Sequence, residues 1–244
     1  MHRFINLNSL NHTQQDQYRD AITKAFPAII GESSVIKNYW TKLEKYYPEL
    51  QLFLISSEGE LIGFINTIPF KFSKDLSRLP DRGWDWMFTK GMTDYIENLK
   101  ANYLGGLQVI VRKKFQGKGY SKVVLNHAKN FILKSSYENL VISIRPIRKH
   151  NFPTMPMSEY LNIKEEHKVY DPWIRTHING GAEVIKVCEK SMIMTGNIKF
   201  WETMLDMKIS NSGQYILSGA LSMITIDVEK NKGEYIEPNI WVKY

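Results

Sequence analysis

The stretch that most limits what this chain can fold into lies near its middle. Leu107 to Val111, LQVIV, is a short apolar run that reads as a buried strand. Arg112 to Ser121, RKKFQGKGYS, follows it. A helix from about Gly119 to Leu133 comes next, with Tyr120, Val123, Val124, His127, Phe131 and Ile132 recurring at helical spacing. Leu140 to Ile144, LVISI, is a second buried strand. Strand, glycine-containing turn, helix and strand make a βαβ-like unit. That order excludes an all-helical bundle and an all-β sandwich.

The turn also carries chemistry. Gln116-Gly117-Lys118-Gly119-Tyr120-Ser121 closes a strand and opens a helix. Unpaired N–H groups and the positive end of the helix dipole meet there, and glycine lets a phosphate approach the main chain. Arg112, Lys113, Lys114, Lys118 and Lys122 lie within it or beside it. Five cations around one such turn suit a pyrophosphate. The Gly-Lys-Ser/Thr ending of a P-loop is missing, and so is the three-glycine spacing of a dinucleotide fingerprint.

The flanking elements extend this unit. Helices are expected over Gln14 to Phe26, capped by Thr13, and after Ser34, stopping before Pro48. A hairpin pairs Gln51–Ile55 with Leu61–Ile68. Another amphipathic helix covers about Gly83 to Leu99. Asp171-Pro172 starts a helix that ends at Gly180-Gly181. Strands are expected at Ala182–Cys188, Met192–Thr195, Ser222–Val228 and Tyr235–Val242, with a short helix over Ile198–Leu205. Strands that both alternate with helices and cluster at the end indicate α/β or α+β with a mostly antiparallel sheet. No linker or repeat interrupts the chain, so residues 1–244 are expected to form one domain.

The single cysteine, Cys188, excludes an internal disulfide and a cysteine-rich metal site, and no metal is expected. The amino terminus does not read as a signal peptide and no stretch approaches a membrane span, which points to the cytoplasm and away from membrane partners. The net charge of +7 draws anions. The basic residues cluster at the glycine turn rather than along a helix face with interleaved aromatics, so nucleic acid is not the expected partner.

Gln116-x-x-Gly119-x-Ser121, after LQVIV and before SKVVLNHA, resembles the signature of the GNAT superfamily of N-acetyltransferases. That signature is Gln/Arg-x-x-Gly-x-Gly/Ala, and Ser121 is the one departure. The resemblance is strongest from about Leu104 to Arg145. It implies a GNAT fold, a mixed and mostly antiparallel sheet with splayed central strands flanked by helices. It implies an acyl-coenzyme A donor, acetyl first. The main chain of Gln116, Gly117, Lys118, Gly119, Tyr120 and Ser121 would hold the pyrophosphate. That of Gln108, Val109, Ile110 and Val111 would pair with the pantetheine arm, and an amide of Val109 or Ile110 would polarise the thioester carbonyl. The acceptor would be a small-molecule amine or a natural-product intermediate.

Many members of that family place a tyrosine on the helix after the splayed strand. Here Asp171–Asn179 has none; Tyr170 precedes it and His177 lies on it. His177 is a candidate acid or base. The Asp171-Pro172…His177…Gly181-Ala182 pattern resembles a larger subgroup that includes GNAT-like loading domains of polyketide synthases, where a histidine on this helix acts on an acyl thioester. An acyl carrier protein is therefore an alternative partner, and transfer to or decarboxylation on its pantetheine thiol an alternative reaction. That subgroup's threonine near the end of the second strand has no counterpart in Arg145-Pro146-Ile147-Arg148. Leu79 to Trp86 supplies the other candidates: Trp84 and Trp86, with Trp173, as pocket walls and Asp85 as amine partner or base. Arg145, Arg148 and Lys149 could meet the coenzyme 3′-phosphate or an acidic carrier protein, and the runs Ser212–Tyr215 and Glu237–Trp241 could close the pocket with no chemistry assigned to them. A non-catalytic module that binds coenzyme A thioesters remains a third reading, and the apolar carboxy-terminal strands could form a homodimer edge.

Overall fold

A computed structural model describes residues 2–244. In chain order the elements are β1 (Arg3–Asn6), α1 (His12–Ala25), α2 (Ala28–Gly31), α3 (Ser34–Tyr46), β2 (Gln51–Ile55), β3 (Leu61–Phe70), α4 (Gly83–Ile96), β4 (Tyr103–Val111), α5 (Tyr120–Leu133) and β5 (Asn139–Ile144). The second half adds α6 (Met157–Leu161), the hairpin β6 (Lys164–Glu165) and β7 (Lys168–Val169), α7 (Pro172–Asn179), β8 (Glu183–Gly196), α8 (Ile198–Leu205), β9 (Gly213–Tyr215), β10 (Ile224–Asp227) and β11 (Lys232–Lys243). One nine-stranded sheet runs β1-β2-β3-β4-β5-β11-β10-β9, with β8 on the other edge of β11. All its pairings are antiparallel except β4 with β5.

That exception creates the site. The parallel ladder joins Tyr103–Gly106 to Asn139–Ile142 and stops. Beyond it Gln108–Val111 stays paired with β3, while Ile142–Ile144 stays paired with β11. The two strands thus part without losing their other partners. A bulge marks the point of divergence: Asn66 faces Gln108, but Thr67 faces Gly106, leaving Leu107 over. The Leu107 carbonyl is taken by the Trp84 indole N–H at 2.6 Å. Gly105 and Gly106 are needed where the ladder holds, since a Cβ would fall 2.6 Å from Met87 Sδ and 2.8 Å from Ile142.

Two cores lie on opposite faces. Trp84, Phe88, Val141 and Trp241 pack with α3, α4 and β8 on one. Val124, Ile142, Ile174 and Ile240 pack with α5 and α7 on the other. Successive side chains of β5 and β11 alternate between them, as a strand requires.

Several expected boundaries shift. Asn11, not Thr13, caps α1, in a reciprocal capping box with Gln14. The central strand begins at Tyr103 rather than Leu107, because the two glycines are accommodated inside the ladder. The runs at 182–188 and 192–195 are one strand, β8, carried through its irregular middle by pairing with β11. α4 ends at Ile96, and β1 and β9 are edge strands too short to show a pattern.

Asp171 anchors α7 as anticipated. Its Oδ1 accepts from the N–H groups of Trp173 and Ile174, at 2.9 and 3.0 Å. Its Oδ2 accepts from the Arg148 N–H and the Tyr160 hydroxyl, both at 2.8 Å. Asp171→Ala would strip a buried cap of four donors. We expect it to lower unfolding free energy by about 2–4 kcal/mol, read from urea denaturation midpoints, whereas Asp171→Asn should lose less.

Candidate functional site

The gap between β4 and β5 opens into a cavity of ≈ 1140 Å³ that reaches both faces of the sheet. From the α5/α7 face Gln116–Gly117, Gly119–Ser121, Trp173 and His177 line it. From the α3/α4 face Ile36, Trp40, Trp84, Met192 and Asn239 do so.

The glycine turn is built as its sequence demands. Gly117 and Gly119 have φ of 74° and 80°, the left-handed region that other residues enter at a cost. A Cβ on either would meet nothing within 4 Å, so the turn borders open space. The N–H groups of Gly117, Lys118, Gly119, Tyr120 and Ser121 have no partner among the described residues. Five free donors at the start of a 14-residue helix form an anion cradle. Gly119 is the N-cap and contributes no side chain. The cations around the turn are not all available: Lys114 pairs with Glu60 at 2.5 Å and Arg112 donates to the Leu61 carbonyl at 2.8 Å. Lys118 is absent from the cavity wall and lies over the Phe115 ring.

The register of β4 fixes which amides face the gap. The Arg112 N–H donates to the Ile62 carbonyl at 2.9 Å. In an antiparallel ladder hydrogen-bonded pairs alternate. Gln108 and Ile110 therefore bond to β3, and the peptide groups of Val109 and Val111 turn toward the gap. The Val111 carbonyl is already taken by the Gln116 side chain at 2.9 Å. Of the two amides considered for the thioester carbonyl, Val109 is the one this register leaves open.

His177 is fully buried and lines the cavity. Its Nδ1 lies 2.8 Å from the Tyr244 hydroxyl, and its Nε2 has no partner. The Trp173 ring packs edge-on against it at 4.3 Å between centroids. Burial pushes its pKa down to about 3, so the imidazole is neutral across the physiological range.

Other anticipated residues lie elsewhere. Asp85 does not line the cavity. It sits one step round α4 from Trp84 and turns to β8, where its Oδ2 accepts from the Ile193 N–H at 3.1 Å. Burial raises its pKa to about 6. Trp86 packs among Phe70, Phe72 and Trp241, outside the wall, because helical spacing points it away from Trp84. Tyr170 packs on Phe152, Tyr160 and Arg148, also outside the wall. Arg148 pairs with Glu165, and the buried Lys149 donates to the carbonyls of Phe152 and Leu221. Trp84 and Trp173 do line the cavity.

The α3/α4 face carries a polar cluster that includes Arg145, expected instead at the coenzyme 3′-phosphate or an acidic carrier protein. Ser143, Arg145, Glu237 and Asn239 all line the cavity. Glu237 is buried, with Arg145 Nε 3.0 and 3.1 Å from its two oxygens and the Tyr235 hydroxyl donating at 2.8 Å. Ser191 Oγ accepts from the Asn239 side-chain amide and the Trp84 N–H and lies 2.9 Å from Ser143 Oγ. Asn239 Oδ1 is left without a partner. The signal that assigns these residues chemistry is period-2 spacing: Tyr235, Glu237, Asn239 and Trp241 share one face of a strand whose Glu237–Trp241 run was expected only to close the pocket.

No known protein-family profile matches the chain. It is 25% identical over 249 aligned positions to the arginine N-acetyltransferase avaD of Aspergillus versicolor, covering 91% of this chain and 85% of that protein. Among solved structures it superposes on the loading GNATL domain of CurA from Lyngbya majuscula with a TM-score of 0.57 at 15% identity, covering 100% of this chain and 97% of that one. The GphF GNAT-like decarboxylase in complex with isobutyryl-CoA gives 0.54 at 11%, covering 100% and 98%. These two establish the fold.

The buried imidazole has a measurable signature. Its folded pKa of about 3 lies below the ordinary 6.5, so the unfolded chain takes up the proton first as pH falls. The stability this group supplies above pH 6.5 is then lost toward pH 3, by up to about 1.4 kcal/mol per pH unit. His177→Gln should be less stable than the parent at pH 7, with the difference shrinking by pH 4 in urea melts. A constant difference would mean that His177 is not desolvated.

Proposed function

We propose that this GNAT-type acyltransferase moves the acyl group of a coenzyme A thioester, acetyl first, onto the nitrogen of a small amine. The observation that carries the reading is the end of the β4–β5 ladder at Gly106 and Ile142, with the glycine turn beside it. A phosphate-bearing arm can anchor on the free amides of Gly117–Ser121 and run along β4. Its carbonyls and N–H groups then meet the open Val109 peptide groups and the Val111 N–H, as an added strand would. GphF, one of the two structural neighbours above, was captured with isobutyryl-CoA, a ligand of this class.

The arm occupies the α5/α7 face and the amine enters from the α3/α4 face. Attack forms the C–N bond, and collapse breaks the C–S bond. The sulfur leaves as thiolate and takes up the proton that the nitrogen gives up. The Val109 N–H lies where it can stabilise the oxyanion. His177 serves as a neutral donor: with Tyr244 O–H donating to Nδ1, Nε2 carries the proton and can hydrogen-bond the carbonyl oxygen or the departing sulfur. An imidazole whose charged form is so costly is a poor base for an amine proton at neutral pH. The relative avaD makes arginine the first acceptor to try. A pantetheine arm on a carrier protein would use the same groove, as the likeness to the CurA loading domain suggests.

Calorimetric titration with acetyl-coenzyme A tests the donor. Gly119→Glu places a carboxylate and a strained φ in the cradle, and we expect at least a tenfold weaker Kd with unchanged circular dichroism. Binding that survives the substitution would move the anion site elsewhere. No binding by the parent protein would remove the free-coenzyme donor. With arginine and acetyl-coenzyme A, Tyr244→Phe should lower kcat about tenfold or more with little change in KM for the thioester.

A further inference from the structure

Three cations and one carboxylate line the cavity: Lys24, Lys37, Arg145 and Glu237. Lys24 and Lys37 pair with Asp20 and Glu32 outside it. Glu237 is committed to Arg145 and Tyr235. Among the described residues no uncommitted carboxylate lines the cavity to meet an incoming amine.

Arg145 is less fully used. Its Nε holds Glu237 and its Nη2 donates to the Gly219 carbonyl at 2.8 Å, while Nη1 has no partner among the described residues. Arg145 is brought toward Asn239 through Glu237, which it binds and which stands two residues before Asn239 on the same face of β11. Asn239 is 1% exposed, and its Oδ1 is the buried acceptor without a donor. Its amide is held in place by Ser191, which Trp84 and Ser143 hold in turn. One free cationic donor and one free neutral acceptor thus belong to residues that line the same face of the cavity.

We propose that this pair reads a free amino acid, Arg145 Nη1 donating to its carboxylate and Asn239 Oδ1 accepting from its amino group. A molecule whose amine and carboxylate share one carbon carries the two complementary groups close together. The Arg145–Glu237 pair is held rigidly by Tyr235 and Gly219, so the guanidinium is already oriented before the acceptor arrives. This deepens the amine-acyltransferase reading and rests on it.

The test compares acceptors that differ only in the carboxylate. Thiol release from acetyl-coenzyme A is followed with each of the twenty amino acids, then with the best amino acid, its methyl ester and its decarboxylated amine. Arginine and agmatine are the first such pair. We expect kcat/KM for the amino acid to exceed that of the ester and the amine by roughly 10–100-fold. Arg145→Lys keeps the charge beside Glu237 but not the planar fork. It should bring that ratio to within about threefold of one, leaving the Kd for acetyl-coenzyme A unchanged. Asn239→Leu should raise KM for the amino acid. An amine or ester that works as well as the amino acid overturns the proposal. So does the absence of turnover with any amino acid when acetyl-coenzyme A binds. Failure of acetyl-coenzyme A to bind is instead the failure of the donor reading. The ester and amine comparison uses the parent protein, so an unstable Arg145→Lys does not remove the test.

Discussion

The whole arrangement depends on a hydrogen-bond ladder that stops. A buried parallel pair of strands would normally continue, because each peptide group left behind needs a partner. Here β4 and β5 each keep a second neighbour, β3 and β11, so parting costs only the inward-facing groups. The Leu107 bulge rotates β4 away, and the Trp84 indole holds the carbonyl that the bulge exposes. What remains is a slot edged by main-chain donors and acceptors. An extended amide-bearing arm fits that slot for the same reason a strand would. The glycine turn then needs only to supply positive potential at its mouth.

The slot also explains why the two ends of the cavity differ in chemistry. Residues 142 and 144 of β5 face α5 and α7, while 143 and 145 face α3 and α4. One face therefore presents glycine amides, Trp173 and a desolvated His177. The other presents Ser143, Arg145, Glu237 and Asn239. A gap through a sheet lets two ligands meet from opposite sides without sharing a wall, and strand alternation gives each side its own residues.

Much of this was legible in the chain. The LQVIV strand, the Gln116–Ser121 turn and the following helix stand where their pattern put them, and Asp171-Pro172 starts α7 as a capped helix should. His177 was singled out and lines the cavity. Asp85, Trp86 and Tyr170 were misplaced for one reason. Helical or loop position fixes a residue's neighbourhood, but its direction depends on which face meets the sheet. On α4 that face is Trp84's, which sends Asp85 toward β8 and Trp86 into the aromatic core. Tyr244 was out of reach, and Glu237 and Asn239 were legible only as part of a pocket-closing run without chemistry, because their roles come from pairings across dozens of residues. The Tyr244 contact with His177 spans 67 positions and Arg145 with Glu237 spans 92.

Burial of polar groups separates structure from function in this cavity. Asp171, Glu237 and Lys149 are buried and hydrogen-bonded, and each fixes a loop in place. An unpaired buried polar atom costs about 1–3 kcal/mol, and a chain has no structural reason to keep one. Asp85 Oδ1 and Trp201 Nε1 also lack partners, but neither residue touches the cavity. His177 Nε2 and Asn239 Oδ1 belong to residues that do, one on each face of the same gap. Both are held from behind, His177 through Tyr244 and Asn239 through Ser191, so neither can turn to satisfy itself. Two fixed, unsatisfied groups on opposite sides of an opening with free main-chain amides define the volume in which a donor and an acceptor would complete them.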